Sequence, residues 1–131
     1  MGALIVANRR IVMIKRGHAP LLGEWSIPGG MLELGETVRQ GTEREAQEET
    51  SLGVRATELL GVFDRVVLDD QKRILYHYVL IDFLCEVVSG KLQAAGDAAD
   101  ARWFTLEEVE ALPLALDTAE VIRRALTKAG S

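Results

Sequence analysis

The order of the short apolar segments along the 131-residue chain most constrains its fold. Two β-rich segments, 3–7 and 11–14, precede the first helix signal, and two longer ones, 59–68 and 74–88, follow it. A short strand at 102–104 and two further helix signals complete the order. Strands divided between both sides of a helix favour a mixed sheet flanked by helices, so the sequence predicts an α/β fold. No linker or repeat interrupts the order, and we expect a single domain over residues 1–131.

Three helices are predicted from the signals at their ends. Thr37 with Gln40, and Thr105 three residues before a glutamate, have the spacing of a capping box. We expect the first helix to run from Thr37 to about Ser51, and the second to stop at Pro113. Asp117 is expected to cap a third helix that ends at Gly130.

Two loops and one irregularity are also expected. Glycine and proline interrupt the chain repeatedly between residues 15 and 35, and so long a loop in a compact domain is more often functional than not. A smaller acidic loop is predicted from Gly96 to Asp100. The segment 74–88 is long for one strand, so we expect a bend or bulge near Asp82.

Negative charge is concentrated in one part of the chain. Six acidic and two basic residues lie between Gly30 and Leu52, a net charge of −4 out of −5 for the whole chain. A nucleic-acid-binding protein would show a basic patch, so this distribution argues against a nucleic-acid partner. A local excess of carboxylates instead indicates a cation site.

The single cysteine and the short apolar segments predict where the protein works. Cys85 has no partner within the chain for a disulfide, which fits a reducing compartment. No segment approaches the roughly 20 apolar residues of a membrane span, and the run 3–7 is too short for a signal peptide. We therefore expect a cytoplasmic protein without a membrane partner.

The helix that begins after Thr37 carries three glutamates on one side. On a helical wheel Glu48 and Glu49 lie within about 60° of Glu45, while the opposite side is polar throughout. Three carboxylates that point inward repel one another, and the C-terminal half of a helix disfavours anions. A cation would compensate, and Mg²⁺ prefers a few carboxylates together with waters and phosphates. Arg44, four residues before Glu48, is placed to pair with that carboxylate.

In the same region, Gly30 is followed after five residues by Glu36, and after seven more by the run Arg44-Glu45-Ala46-Gln47-Glu48-Glu49-Thr50-Ser51-Leu52. This spacing resembles the Nudix box, the signature of the Nudix hydrolases. The preceding Gly23-Glu24-Trp25-Ser26-Ile27-Pro28-Gly29-Gly30 is similar to the lead-in of that family. One position departs, because the family usually has glycine where this chain has Ser51, which puts the geometry of the last helical turn in question.

The resemblance implies an α/β/α sandwich that cleaves a nucleoside diphosphate linked to another moiety. By position it implies Mg²⁺, with Mn²⁺ as a substitute, bound by Glu45, Glu48, Glu49 and the Gly29 carbonyl. The resemblance implies supporting roles for Arg44 and Glu36, and we expect Gly30 and Glu36 to contact the substrate. The general base is either a glutamate of the box or an acid in a later loop, for which Asp97 and Asp100 are the candidates. Ordinary turn chemistry next to Gly96 explains the two aspartates equally well.

Three alternatives stay open for the activity of the chain. The whole chain is similar to Nudix proteins of the ADP-ribose pyrophosphatase type, which favours ADP-ribose or a related nucleotide sugar. Members specific for ADP-ribose often have a proline about 15 residues past the box, where this chain has Val67 and Leu68. The second alternative is a (deoxy)nucleoside triphosphate pyrophosphohydrolase that cleans the nucleotide pool, and the third is a nucleotide sensor without catalysis.

A few residues outside the box are candidates for substrate contacts. Arg16 and His18 are placed to meet a phosphate. Trp25 is placed to stack on a base, although a tryptophan beside Gly23 and Pro28 more often packs its loop onto the core. Tyr76 or Tyr78 is placed to line a nucleoside pocket, although an aromatic residue in a strand more often belongs to the core. The resemblance also leaves a homodimer open, because small members of the family often pair.

Overall fold

The computed structural model describes residues 1–17 and 22–129. His18 and Gly130, and with them the expected phosphate contact and helix end, lie outside the described residues. The elements are β1 (Gly2–Ala7), β2 (Arg10–Arg16), β3 (Trp25–Ser26), α1 (Val38–Thr50), β4 (Gly53–Leu68), β5 (Ile74–Ser89), β6 (Ala98–Phe104), α2 (Leu106–Glu110) and α3 (Leu116–Ala129).

The sheet contains both parallel and antiparallel pairs, with β1 at its centre. β1 runs parallel to β5, with Gly2 opposite Asp82, and antiparallel to β2, with Val6 opposite Ile11. The long strands β4 and β5 form an antiparallel hairpin, and β2 also pairs with β3 and β6. A parallel β1–β5 pair requires a crossover, and here the connection runs through β2, β3, α1 and β4.

Helices cover both faces of this sheet. Ala3 and Ile5 of β1 point toward α1 and pack with Ala46, Leu52 and Phe83 in one core. The alternate residues of β1 point to the other face, in a second core built from Leu4, Val6, Ile11, Met13, Val121, Ile122 and Ala125. Because β1 is buried on both faces, its sequence is a continuous apolar run. The predicted α/β/α sandwich is confirmed. Within residues 1–17 and 22–129, no helix is long and apolar enough to cross a membrane.

Three predicted boundaries are wrong. β4 begins at Gly53 rather than at residue 59, because register shifts in its first half break the alternation on which the prediction relied. β6 begins at Ala98, so Asp100 lies in a strand opposite Lys15 and not in an acidic loop. α3 begins at Leu116, which places Asp117 inside the first turn, where its carboxylate accepts a hydrogen bond from Arg65 instead of capping the helix.

The irregularity expected near Asp82 is present in the partner strand. Leu59 lies opposite Phe83 and Gly61 opposite Asp82, so Leu60 is an extra residue in β4. The extra residue lets Leu60 point into the core on the α3 side, where it is 5% exposed. The bulge therefore buries an additional apolar side chain without breaking β5.

Both ends of α1 are defined by local hydrogen bonds. Thr37 and Gln40 form the predicted capping box, and the helix ends at Thr50. Ser51 itself adopts the left-handed conformation at the C-cap, with φ 65° and ψ 7°, and its N–H donates to the Gln47 carbonyl. Serine therefore takes the conformation that glycine usually provides, and its hydroxyl donates to the Gln93 carbonyl at 2.9 Å.

We expect Ser51→Gly to be more stable than Ser51→Ala. Both substitutions remove the hydroxyl, but only alanine keeps a Cβ atom in the left-handed conformation, which costs about 1 kcal/mol. Urea denaturation of the two variants measures the difference. Equal free energies of unfolding would show that the left-handed turn carries no cost at this position.

Candidate active site

The loop before α1 is held against the start of β1 by backbone hydrogen bonds. The Ala3 N–H donates to the Pro28 carbonyl at 2.8 Å, and the Gly30 N–H donates to the Met1 carbonyl at 3.1 Å. Between these two, the Gly29 N–H donates to Glu49 Oε1 at 2.8 Å. The loop and the C-terminal half of α1 therefore meet at Gly29, and the acidic residues of the helix gather there.

Glu49 is the most buried of the three glutamates, with 8% of its surface exposed. Burial raises its pKa from 4.5 to about 7, and the negative charges of Glu45 and Asp97 act in the same direction. The Gly29 N–H and the positive charge of Arg16 oppose this shift in pKa. The structure thus brings Arg16, Glu45 and Asp97 within electrostatic reach of one buried carboxylate.

Without metal, the free energy of unfolding should fall as the pH rises from about 4.5 to about 7. The folded chain keeps a proton on Glu49 that the unfolded chain has already released, so Glu49 lowers stability by about 3 kcal/mol across this range. Asp82 acts in the same direction, because burial raises its pKa to about 6. At lower pH, Glu36 has the opposite effect on the free energy of unfolding. The hydrogen bond from Arg44 lowers the pKa of Glu36 to about 2, so this residue makes stability increase as the pH rises from about 2 to about 4.5.

Urea denaturation in the presence of a chelator at several pH values checks this expectation, and Glu49→Gln is its control. The variant should lose most of the decrease between pH 4.5 and 7, because glutamine does not titrate. A wild-type stability that is constant or increases over this range would contradict the raised pKa of Glu49.

Glu45 packs directly on the backbone of the loop. A Cβ atom at Gly30 would lie 2.5 Å from the Glu45 carboxylate, so any other residue at this position would displace that side chain. Glu45 Oε1 accepts a hydrogen bond from Arg44 Nη1 at 2.8 Å. The close approach explains why glycine stands at position 30, the first residue of the box.

Arg44 joins four acidic side chains and the loop. Its Nε and Nη2 donate to the two carboxylate oxygens of Glu36 at 2.9 and 2.6 Å, a bidentate pair. Nη2 also donates to the Met31 carbonyl at 3.0 Å, and Nη1 lies 3.6 Å from Glu33. The predicted contact with Glu48 is present at 3.3 Å. Arg44 therefore positions the glutamates and the loop relative to one another.

The prediction that all three glutamates point inward is wrong for Glu48. Its side chain is 53% exposed, whereas the Glu45 side chain is 16% exposed. Glu48 lies at the edge of the inward stripe, beside Arg44, where the helix meets solvent. The repulsion expected among three buried carboxylates is therefore limited to Glu45 and Glu49, and Arg44 reduces it.

The segment before β6 closes the C-terminal end of α1. The Ala95 N–H donates to the Glu49 carbonyl at 3.2 Å, and the Gly17 N–H donates to the Asp97 carbonyl at 2.9 Å. These bonds bring Asp97 close enough to raise the pKa of Glu49. Asp100 instead accepts hydrogen bonds from Arg102 Nε and the Ala101 N–H. Of the two base candidates, Asp97 is the one near Glu49.

The donor chemistry of the site suits a hard divalent cation. Within residues 1–17 and 22–129, no group of three acidic, histidine or cysteine side chains is close enough together to hold a metal ion by itself. One reason is that Arg44 donates hydrogen bonds to oxygens of Glu45 and Glu48. Mg²⁺ needs only one or two carboxylates and completes its shell with water and phosphate oxygens. Glu49 and Glu45 meet that requirement, and a cation would compensate the buried charge of Glu49.

The aromatic candidates have different surroundings. The Trp25 ring lies 5.0 Å from the Phe104 ring and packs against the core on the α3 side, so this tryptophan packs its loop onto the core. Tyr76 and Tyr78 stack on each other at 5.8 Å and are about half exposed, so they do not belong to the core.

Sequence reasoning left two charged residues in the strands without a role. Asp82 in β5 is 6% exposed, and Arg65 in β4 donates to Asp117 at 2.6 Å. The available signal was a carboxylate in an otherwise apolar run from Val79 to Cys85. Such a residue is almost never buried unless a partner or a ligand requires it.

Comparison with known proteins identifies the family. The model of the NUDIX domain matches residues 1–125, almost the whole chain. The chain belongs to the Nudix family. The segment from Gly30 to Leu52 that resembles the Nudix box lies within the matched residues.

Named relatives and a solved structure support the assignment to the Nudix family. The chain is 35% identical over 120 residues to an ADP-ribose pyrophosphatase of Methanocaldococcus jannaschii, a match that covers 92% of this chain and 68% of the relative. It is 26% identical over 108 residues to a putative 8-oxo-dGTP diphosphatase of Bacillus subtilis, covering 79% of this chain and 65% of the relative. The crystal structure of an ADP-ribose pyrophosphatase from Streptococcus suis superposes with a TM-score of 0.74 at 25% identity, covering 99% and 90% of the two chains.

The chain spans 60 to 68% of the length of the first three curated relatives. These relatives include proteins named as an ADP-ribose pyrophosphatase and as a Nudix hydrolase, and the chain shares their family.

Proposed function

We propose that the chain hydrolyses the diphosphate linkage of ADP-ribose or a related nucleotide sugar in a Mg²⁺-dependent reaction. The observation that carries this proposal is the buried Glu49 carboxylate, held by the Gly29 N–H beside Glu45, Asp97 and Arg16. The Methanocaldococcus jannaschii relative supports the choice of ADP-ribose.

The residues of the box divide into ligands and positioning residues in this proposal. Glu45, Glu48, Glu49 and the Gly29 carbonyl would hold Mg²⁺ or Mn²⁺, which when bound neutralises the diphosphate and makes its phosphorus more open to attack by water. Arg44 positions Glu45 and Glu48, and Glu36 holds Arg44 in place.

The remaining roles belong to residues around the ligands. Asp97 is the favoured general base, because it lies near Glu49, while Asp100 is bound to Arg102. Arg16 brings positive charge toward the same carboxylate and is placed to meet a substrate phosphate. Gly30 leaves space for Glu45 beside the substrate.

A second candidate is hydrolysis of a (deoxy)nucleoside triphosphate. The chain has Val67 and Leu68 where ADP-ribose-specific members often have proline, and it is similar to a putative 8-oxo-dGTP diphosphatase. The reaction class and the box residues would be the same, and only the substrate would differ.

Identification of the products separates the candidates. Incubation with ADP-ribose and Mg²⁺ should release AMP and ribose 5-phosphate, and omission of the metal should stop the reaction. Release of a monophosphate and pyrophosphate from triphosphates alone would favour the second candidate. Tight binding of ADP-ribose without turnover of ADP-ribose or of any triphosphate would overturn both candidates and indicate a sensor.

The homodimer and the cytoplasmic location stay predictions. Apolar residues exposed on the β4–β5 hairpin, among them Val62, Val66 and Val79, would suit a second copy. The buried, unpaired Cys85 agrees with a reducing compartment.

A further inference from the structure

Asp82 is a buried carboxylate with no hydrogen-bond partner in the described parts of the chain. The residue is 6% exposed, and its Oδ1 lies so close to Gly2 that a Cβ atom there would collide with it. No residue within 1–17 or 22–129 donates a hydrogen bond to the Asp82 carboxylate. No sealed side-chain oxygen in these residues lacks a partner, so the Asp82 oxygens are not enclosed in the core but face space that a ligand can enter.

The Asp82 side chain borders a cavity of about 220 Å³. Arg65, Thr118 and Leu80 line the same cavity, together with residues 26–29 of the loop before α1. Its wall therefore combines polar groups with the apolar side chains of Ile27, Pro28 and Leu80. Such a mixture suits a flat, partly polar ring better than an ion or a purely apolar group.

The cavity adjoins the proposed diphosphate site. Gly29 lines the cavity, and its N–H donates to Glu49. If the diphosphate of a nucleotide lies at Glu49, the nucleoside attached to that diphosphate is within reach of the cavity.

Among the charged side chains that line the cavity, the Asp82 carboxylate accepts no hydrogen bond from the described residues. Arg65 donates to Asp117 at 2.6 Å, and Asp117 also accepts from the Thr118 N–H at 2.8 Å. Arg65 and the Met1 ammonium lower the pKa of Asp82, but burial is the larger effect and raises this pKa to about 6. At neutral pH the cavity thus presents a hydrogen-bond acceptor, and its ligand should supply an N–H donor.

We propose that this cavity takes the nucleobase of the substrate and that Asp82 selects bases with an exocyclic amino group. Adenine, guanine and cytosine each offer an amino group to a carboxylate. Uracil has one ring N–H between two carbonyl oxygens, which a carboxylate repels. This proposal rests on the proposed function, because it uses the diphosphate at Glu49 to place the base.

Four nucleotide sugars that differ only in the base test the proposal. Wild-type kcat/KM should be at least about tenfold lower for UDP-glucose than for ADP-, GDP- or CDP-glucose. Asp82→Asn should reduce this ratio to about threefold or less, since an amide donates to a uracil carbonyl. Asp64→Asn, which changes an exposed carboxylate of β4 that binds His77, is the matched control and should keep the wild-type ratio.

Binding and stability measurements keep this test separate from the proposed function. AMP should bind wild type at least about tenfold more tightly than UMP by calorimetry, even if no nucleotide sugar is hydrolysed. Asp82→Asn should unfold at the same temperature as wild type or higher, because a buried unpaired charge is removed. Equal kcat/KM for the four sugars, or equal binding of AMP and UMP, would overturn the proposal. Absence of hydrolysis alone would overturn only the proposed function.

Discussion

Glu49→Gln is expected to abolish most Mg²⁺-dependent turnover and to stabilise the metal-free protein. We expect kcat/KM to fall by more than about 100-fold, since loss of groups that only support metal ligands already costs about 10- to 100-fold. The glutamine oxygen can still accept the Gly29 hydrogen bond, so the fold should be kept. At pH 8 without metal the variant should be more stable by up to about 3 kcal/mol, because the buried charge is gone.

Glu48→Gln separates the two effects. Its side chain is 53% exposed, so the substitution should lower turnover without raising the stability of the metal-free protein. Glu58→Gln, which changes an exposed glutamate of β4 that pairs with Lys128, is the inert control. Near-wild-type activity in Glu49→Gln or Glu48→Gln would show that the changed residue is not a ligand.

Arg44→Ala is expected to have the second largest effect, through the positions of the glutamates. The substitution removes the bidentate pair with Glu36 and the hydrogen bonds to Glu45 and Glu48. We expect metal affinity and kcat/KM to fall about 10- to 100-fold, as for other residues that orient metal ligands. Arg44→Lys should recover only part of the loss, because an ammonium group cannot form the two parallel bonds to Glu36.

Titration with Mn²⁺, followed by electron paramagnetic resonance, measures this effect independently of turnover. Arg55→Ala, which removes an exposed arginine of β4 paired with Glu86, is the control and should bind Mn²⁺ as wild type does. If Arg44→Ala also bound Mn²⁺ with wild-type affinity, Arg44 would not position the ligands.

The fold was predictable wherever one local interaction decides the structure. The capping boxes at Thr37 and Thr105 begin their helices where the sequence places them. The start of β4 was not predictable, because extra residues such as Leu60 break the alternation and are tolerated only through pairing with β5. Aspartate is a residue type that is common at N-caps, and this led to the prediction for Asp117. In the structure its carboxylate instead pairs with Arg65, which is 52 residues away in the chain.

The sequence predicts which side of α1 carries the glutamates, but not how deeply each glutamate is buried. A helical wheel places Glu45, Glu48 and Glu49 on one side, yet it cannot show that the loop at Gly29 covers one carboxylate and leaves another half exposed. The resemblance made both Asp97 and Asp100 candidates for the base, and their positions relative to Glu49 and Arg102 follow only from the folded structure. Asp82 had a visible signal but no interpretation, because its cavity forms from elements far apart in sequence.

A crystal structure of the protein with Mn²⁺ and a non-hydrolysable ADP-ribose analogue tests the central claim most directly. We expect anomalous density for Mn²⁺ bound by Glu49 and Glu45 and in contact with the oxygens of the diphosphate. Mn²⁺ bound elsewhere, with both carboxylates free of metal and of substrate, would contradict the account.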